Sequence, residues 1–593
     1  MRLFKLTMPC IAAVAFLLTV CPATGSTMNS RSPKHEVRAV WLTTIGGLDW
    51  PHTYARTAAA AASQKRELCE ILDRLKEANV NTVLFQTRIR GTMIYPSAME
   101  PWDGCLSGQP GLSPGYDALQ FAIDECHKRG MELHAWVVTI PIGKWNGMGC
   151  QKIRRRHPGL VHRIGDEGYL DPGKPATAEY LAQICREITT NYDVDGIHLD
   201  YIRYPENWKP RPEGYIGRSN ITRIARQVYN TVKTEKPWVK VSCSPIGKYS
   251  DLALYDSYGW NAYAKVYQDA QSWLREGIMD ALFPMLYFRG NQFYPFALDW
   301  KENSNGRIIS AGLGIYFLSD KEKDWDIEVI KREMNVLRSN GLGHAYFRSK
   351  FFTDNTKGVF DFAKDDIDRY PALVPPMTWL SDALPKGPTR LSVKRMADSD
   401  RLSWGGAKDM STGPYLTYNI YASETYPVDI ADARNILAAN LRDSNATIPL
   451  AAEGAFVNYA VTAVDRFGNE SLPLCTKPNM PAMVRSTYLG NDGNWLALPD
   501  KGKTLDAEFV AIETPQGGLL CTRPYDDGPK ADISSLPEGV YVLKSLNSKG
   551  ITHRLGHFII RRQRGMTTDN KLTSGREDCR WPHFGRDGKP SGL

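Results

Sequence analysis

The sequence has no C-x-x-C pair and no histidine-rich spacing, so nothing in it reads as a zinc site. Its eleven cysteines are scattered, and setting aside Cys10 and Cys21 leaves nine, an odd number that argues against a disulfide framework. They read as small buried apolar side chains. No glycine-rich phosphate loop follows an early strand, which argues against a doubly wound nucleotide-binding sheet. Charge of neither sign dominates: 73 Lys and Arg against 65 Asp and Glu give +8, spread along the chain. The one dense basic run, Arg154-Arg155-Arg156-His157, reads as a solvated helix face near a loop, and no nucleic-acid module accompanies it. Beyond the first 25 residues, no apolar run approaches the roughly 20 residues of a membrane helix. No tandem repeat is evident. Neither a metal nor an organic cofactor is implied, and nothing in the sequence sets an oligomeric state.

What is present is ordinary globular composition, 42% hydrophobic and 23% charged, in 593 residues. That length exceeds one core and implies two to four domains. Residues 1–25 read as a signal peptide: a charged start, Met1-Arg2-Leu3-Phe4-Lys5, an apolar run from Ile11 to Val20, and small residues at Ala23-Thr24-Gly25. Cys21 invites lipidation, but Val20 is a poor residue to precede it. Simple export, to the periplasm or cell envelope, is the expectation.

From residue 36 to 370, strand-like and helix-like segments alternate. The strands are expected at 38–44, 82–88, 132–138, 195–200, 239–244, 279–287, 307–312 and 343–348, with helices at 65–79, 116–129, 176–191, 266–276 and 325–339. Eight such units predict a (β/α)₈ barrel with long loops, an α/β fold. Residues 371–388 are rich in proline and read as a linker. Alternating strands such as Thr417-Tyr-Asn-Ile-Tyr421 follow, and 389–476 resembles a fibronectin type III sandwich. A second small β-sandwich is expected at 480–562, and a disordered tail at 563–593.

The most informative stretch is Asp195-Gly-Ile-His-Leu-Asp-Tyr-Ile-Arg-Tyr-Pro205. Ile197 and Leu199 alternate with His198 and Asp200, so if the first pair faces the helices the second faces the barrel interior. A carboxylate at the mouth of an apolar strand is costly unless used or paired. At the C-terminal end of a barrel strand it sits where catalytic groups sit; the plainer reading is a helix cap or a pair with Arg203. The other rim positions follow strand by strand. The first strand offers Trp41 and then Asp49; the second offers Gln86, Arg88 and, in its loop, Asp103. The third offers His134 and Trp136. Behind Asp200 come Arg203, Tyr204 and Glu206. The sixth offers Tyr287 and the eighth Arg348. Aromatic rings, Arg and carboxylates together suit a sugar, whose C–H faces stack on rings while its hydroxyls need partners. Trp41 and Trp136 read equally as interior filler, and His134 as an inward, hydrogen-bonded histidine.

Several motifs recur in order: Arg38-Ala-Val-Trp-Leu-Thr-Thr44 with Asp49-Trp-Pro51, Phe85-Gln-Thr-Arg88, Pro114-Gly-Tyr-Asp117, Glu132-Leu-His-Ala-Trp136, the Asp200 strand, and Tyr267-Gln-Asp-Ala-Gln-Ser-Trp273. In these the chain resembles the glycosyl-hydrolase-like 10 family of exported bacterial TIM-barrel proteins. The resemblance implies a glycoside hydrolase, with peptide-free peptidoglycan glycan strands as a substrate of some members. The Asp200 strand is also similar to the fourth strand of α-amylase-type and α-galactosidase-type barrels. By that likeness Asp200 would be the nucleophile or charge stabiliser and His198 would contact the sugar. Those relatives place the acid/base carboxylate after strand five or six, where this chain has Ser244-Pro245 and Pro284-Met-Leu-Tyr287. The second carboxylate must then come from a loop, with Asp49, Asp103 and Glu206 as candidates. A glycan is the expected partner, with cell-envelope association and no nucleic acid. The competing readings are a barrel that binds glycan without cutting it, and an adhesion protein in which the β domains bind.

Overall fold

The computed structural model describes residues 32–560 apart from 397, 408–412, 450–457, 477–486, 500–506, 515–518, 526–527 and 548–551. The signal segment with Cys21 and the tail from 563 lie outside the described residues. Two compact units divide at Pro478.

The first unit opens with eight parallel strands: β1 (Arg38–Leu42), β2 (Thr82–Arg88), β3 (Glu132–Val138), β4 (Gly196–Asp200), β5 (Lys240–Cys243), β6 (Ala281–Leu282), β7 (Ile308–Leu313) and β8 (Gly343–Tyr346). They close into a barrel, each pairing with its sequence neighbours and β8 pairing with β1. Strand alternation sets what faces in. On β4, Ile197 and Leu199 turn outward into the core shared with the helices Pro175–Asn191 and Gly214–Glu235. Both are fully buried, each contributing about 1.5–3 kcal/mol. His198 and Asp200 turn inward. Register then fixes height: Trp136 lies opposite His198, His198 opposite Ser242, and Val138 opposite Asp200. Trp41, Trp136, Phe283 and Ala345 fill the interior as a packed core. Gly196 is required where it stands, since an added Cβ would lie 2.6 Å from the His134 ring.

Some elements differ from expectation. The first helix begins at Ala58, not Lys65, because five consecutive alanines are strong helix formers and Thr57 caps them, its Oγ1 accepting the Ala60 N–H at 3.1 Å. The sixth strand shrinks to two residues at Pro284, which has no N–H to pair. The helix expected at 266–276 is two short ones, Ala262–Lys265 and Ala270–Arg275, with Tyr267 between them at φ 61°. The 22-residue helix Gly214–Glu235 was not anticipated. Nor was a small antiparallel sheet (Pro141–Lys144, Glu167–Leu170, Val161–Ile164) above β3. The helix Met148–Arg156 beside it carries the basic run.

The proline-rich segment packs along the barrel base. Met377 is buried, and Trp379 Nε1 donates to Asp280 at 3.1 Å. A sandwich of three strands (Thr389–Arg395, Ser399–Gly405, Asn445–Pro449) and four (Ile436–Leu441, Thr417–Ser423, Asn458–Val464, Leu474–Cys475) follows, closing on Leu402, Trp404, Tyr418, Ile420 and Val461. It is fastened to the barrel base through Arg466, which meets Asp193 at 3.1 Å and Asp195 at 3.3 Å. The second unit holds a five-stranded and a two-stranded sheet over Leu496, Val510, Ile512, Leu543 and Phe558. Of the eight described cysteines none is in a disulfide, and five are buried.

Candidate active site

β4 ends on Asp200 because Tyr201 turns into the left-handed backbone region, φ 51°, a conformation costly for a residue with a Cβ. The turn aims the Tyr201 N–H back at Asp200 Oδ1 at 2.8 Å, and Ser244 donates its hydroxyl to the same oxygen at 2.8 Å. Trp136 Nε1 donates to Oδ2 at 3.1 Å. Trp N–H and backbone N–H can only donate, so Asp200 is held as an acceptor at both oxygens, with lone-pair capacity left on Oδ2. The residue is 6% exposed. Burial pushes its pKa up from the ordinary value; Arg203 and the three donors pull it back.

His198 lies one layer below and is fully buried. Burial, together with His134, holds its pKa well below the usual value, so the ring is neutral. Trp41 Nε1 donates to Nε2 at 3.2 Å, which leaves Nδ1 to donate to Ser242 Oγ at 3.0 Å. His198 therefore supports the floor of the site, and the expected sugar contact is corrected.

Over the turn that follows β4 opens a cavity of about 270 Å³, lined by Arg90, Glu167, Tyr169, Tyr201, Arg203 and Glu206 among others; Asp200 lies behind Tyr201 and is not part of its lining. Arg203 reaches Glu206 at 3.0 Å and stacks its guanidinium 4.2 Å from the centre of the Tyr201 ring. Its Nε and Nη1 are buried with no hydrogen-bond partner among the described residues. Tyr287, half-buried, stands against Phe347 at 5.2 Å and Tyr316 at 5.8 Å. Its hydroxyl is buried without a hydrogen-bond partner among the described residues. Burial, then the charge of Asp200, drives its pKa well up, so the phenol stays a donor.

Of the expected site residues, Trp136 hydrogen-bonds to Asp200, Arg203 and Tyr287 lie within electrostatic reach of it, and Glu206 joins through its ion pair with Arg203. The others do not. Asp49 accepts the Thr43 N–H and hydroxyl, each at 2.8 Å, on one oxygen and Arg348 on the other, with the Lys350 N–H at 3.1 Å. Asp49 and Arg348 together clamp the first rim loop to the eighth, and no oxygen is free for chemistry. Asp103 caps the short helix Gly104–Ser107, its Oδ1 accepting the Cys105 N–H at 2.7 Å. Arg88 is spent on a buried pair with Glu100 at 2.7 Å. Gln86 Oε1 accepts the backbone N–H groups of Thr44 and Ile45, both at 2.9 Å. Trp41 is interior filler, edge-on to Phe283 and Phe347. His134 sits near the barrel base with Glu132 at 3.1 Å. Tyr204 is buried under the rim loop, its hydroxyl accepting Asn220 Nδ2 at 2.9 Å.

The sequence reading passed over Glu167 and Tyr169. The signal was there: two four-residue runs separated by Gly165-Asp166 form a hairpin. Ser244, which the fifth strand offers at the rim together with Ser242, is a donor to Asp200.

One cluster among the described residues has metal-ligand composition: Glu36, His344 and Asp368, buried at the barrel base. It does not fit an ion. Arg38 meets Glu36 at 2.8 Å and Asp368 at 3.2 Å, and Arg338 meets Asp368 at 2.7 Å. Two guanidinium groups already neutralise these carboxylates, and the base of such a barrel serves stability.

The family model described as Glycosyl hydrolase-like 10 matches residues 36–213 and 215–316. The chain is 28% identical over 493 residues to glycosyl hydrolase YngK of Bacillus subtilis (strain 168), covering 75% of this chain and 93% of that protein. It is 31% identical over 328 residues to glycosyl hydrolase DigH of Escherichia coli (strain K12), covering 47% of this chain and 74% of that protein. Among solved structures, alpha-L-fucosidase isoenzyme 2 from Paenibacillus thiaminolyticus aligns over 86% of this chain and 93% of that chain, with 11% identity and a TM-score of 0.38.

Proposed function

Because the chain belongs to the glycosyl hydrolase-like 10 family, we propose that it is an exported glycoside hydrolase whose substrate is a cell-envelope glycan, peptide-free peptidoglycan strands being the class favoured. One observation carries the reading: a buried carboxylate at the C-terminal end of β4, pinned by three donors and left with acceptor capacity, one residue before a turn whose Tyr201 and Arg203 line a cleft.

Asp200 faces the anomeric carbon, and Glu206 handles the proton. In a retaining course the Asp200 oxygen bonds to that carbon as the glycosidic C–O bond breaks, and the Glu206 proton goes to the leaving oxygen. Water then attacks, returns a proton to Glu206 and frees Asp200. In an inverting course Asp200 takes the proton of the attacking water, which displaces the leaving oxygen directly as the Glu206 proton goes to that oxygen. The Tyr287 hydroxyl is available to donate to a sugar oxygen, and Arg203 balances the charge of Asp200. The N-terminal charged and apolar run supports export.

A second reading, glycan binding without cleavage, is favoured by the Arg203–Glu206 ion pair, which occupies the proposed proton donor. Release of reducing ends from peptide-free strands separates the two. Asp200→Asn and Glu206→Gln are each expected to lower it by about 10²–10⁴-fold with the fold intact. Full turnover in Asp200→Asn refutes the assignment, and binding with no reducing ends from the unsubstituted chain selects the second reading.

A further inference from the structure

The loop between β5 and the helix Ala262–Lys265 presents side chains that the barrel does not use. Leu254 is 86% exposed, Tyr258 77% and Trp260 45%, and Tyr255 is exposed beside them. A single exposed apolar residue is normal, but four within seven positions form a patch that needs a reason.

The loop is built to hold that patch out. Lys248 Nζ donates to the Ser257 carbonyl at 2.8 Å, and Gln292 Nε2 to the Asp256 carbonyl at 3.0 Å. The Asp251 carboxylate accepts the Ser257 N–H at 2.8 Å, and Asn261 Nδ2 donates to Ser257 Oγ at 3.1 Å. Leu252 and Tyr255 exchange backbone hydrogen bonds of 2.9 and 3.1 Å. The backbone is thereby ordered before any ligand arrives, which lowers the entropic cost of binding.

Position and charge narrow the occupant. β5 pairs with β4, and both run to the same rim, so the loop leaves the barrel on the face that holds Asp200. Between Lys248, which is engaged by the Ser257 carbonyl, and Lys265 the sequence has two aspartates and no further Lys or Arg. An anionic lipid surface or a nucleic acid would call for basic residues there. Flat aromatic faces next to carbonyl and carboxylate acceptors match instead a pyranose, apolar on its C–H face and hydroxyl-bearing at its edge.

We infer that residues 249–262 form a second glycan subsite, apart from the cleft lined by Tyr201, Arg203 and Glu206, which stacks uncharged sugar units of a polysaccharide whose reacting bond lies at that cleft. The inference rests on the glycan-acting reading and extends it to chain length: long chains engage both places, short ones only the cleft.

The test uses the full chain carrying Asp200→Asn, so that glycan is held and not cut, with the hexamer and the dimer of β-1,4-linked N-acetylglucosamine as uncharged probes. Calorimetry should show that adding Tyr258→Ala and Trp260→Ala weakens hexamer binding by about tenfold, near the scale of one aromatic stacking contact, and leaves dimer binding alone. Both side chains are exposed, so the melting profile should not move. Unchanged hexamer affinity overturns the subsite, as does absence of hexamer binding, or a loss that falls on anionic phospholipid vesicles instead of on the hexamer. Cleavage by the unsubstituted chain is scored separately: if it persists while hexamer affinity ignores the loop, the subsite fails and the hydrolase reading stands.

Discussion

Replacing Trp136 by Phe should shift the acid limb of the activity profile without dismantling the site. The indole N–H is the only donor to Asp200 Oδ2 among the described residues, at 3.1 Å, and Phe keeps a ring in the interior while deleting that donor. A hydrogen bond to a charged group contributes about 1.5–3 kcal/mol. Most of that favours the ionised form, and one pKa unit corresponds to about 1.4 kcal/mol, so the Asp200 pKa should rise by about one unit. Burial already holds it above its ordinary value, and this change adds in the same direction. If Asp200 must be ionised to react, the acid limb of kcat/KM against pH moves up by about one unit, and activity well above the limb falls much less. Trp41→Phe is the control. It removes an indole N–H from the same packed interior, but that donor serves His198, one layer lower. Both variants should cost about 1–2 kcal/mol from the void left behind, and only Trp136→Phe should move the limb. Equal falls in rate at every pH for Trp136→Phe, with the limb in place, would refute the electrostatic argument and reduce Trp136 to packing.

Two further outcomes are expected. Arg348→Ala should destabilise the barrel by about 3–5 kcal/mol in urea unfolding, since it strands the Asp49 carboxylate, 1% exposed, between two rim loops; adding Asp49→Asn should recover part of the loss, and a single variant as stable as the parent would contradict the clamp. Glu333, on the helix Ile327–Ser339, is fully buried with neither oxygen partnered among the described residues, and burial pushes its pKa well up. A folded pKa above the unfolded one contributes stability that is present at low pH and lost as pH rises through the folded value. Glu333→Gln should therefore match the parent near pH ~4 and exceed it at alkaline pH by about 1–3 kcal/mol, the scale of an unpaired buried group; melting temperatures that run parallel across pH would exclude this.

The barrel and the position of Asp200 were legible because both rest on local periodicity. Ile197 and Leu199 alternating with His198 and Asp200 predict an inward carboxylate at a strand end, and that is where it lies. Periodicity gives direction, however, and not height. His134 and His198 both point inward, yet ladder register sets them below the Asp200 layer, out of reach of a ligand. Partner choice is less legible still. Asp49 and Arg348 are 299 residues apart and Arg88 and Glu100 only 12, and in each case a residue of catalytic type is consumed by the other. Asp103 is consumed by a helix start, capping the N–H two residues on. The helix Gly214–Glu235 and the hairpin carrying Glu167 had signals of their own, apolar spacing at Ile221, Ile224, Val228 and Val232 and a Gly-Asp turn, but both fall inside what a barrel template treats as loop. What separates Asp200 from its rivals on the rim is therefore not residue type or strand-end position, which Asp49 nearly shares. It is the count of donors: Asp49 has both oxygens filled from two loops, while Asp200 is fixed by donors from β3, from the residue after β5 and from its own turn and still has an acceptor site to offer. A carboxylate that is rigidly held and incompletely satisfied at the mouth of a barrel is one that a substrate completes.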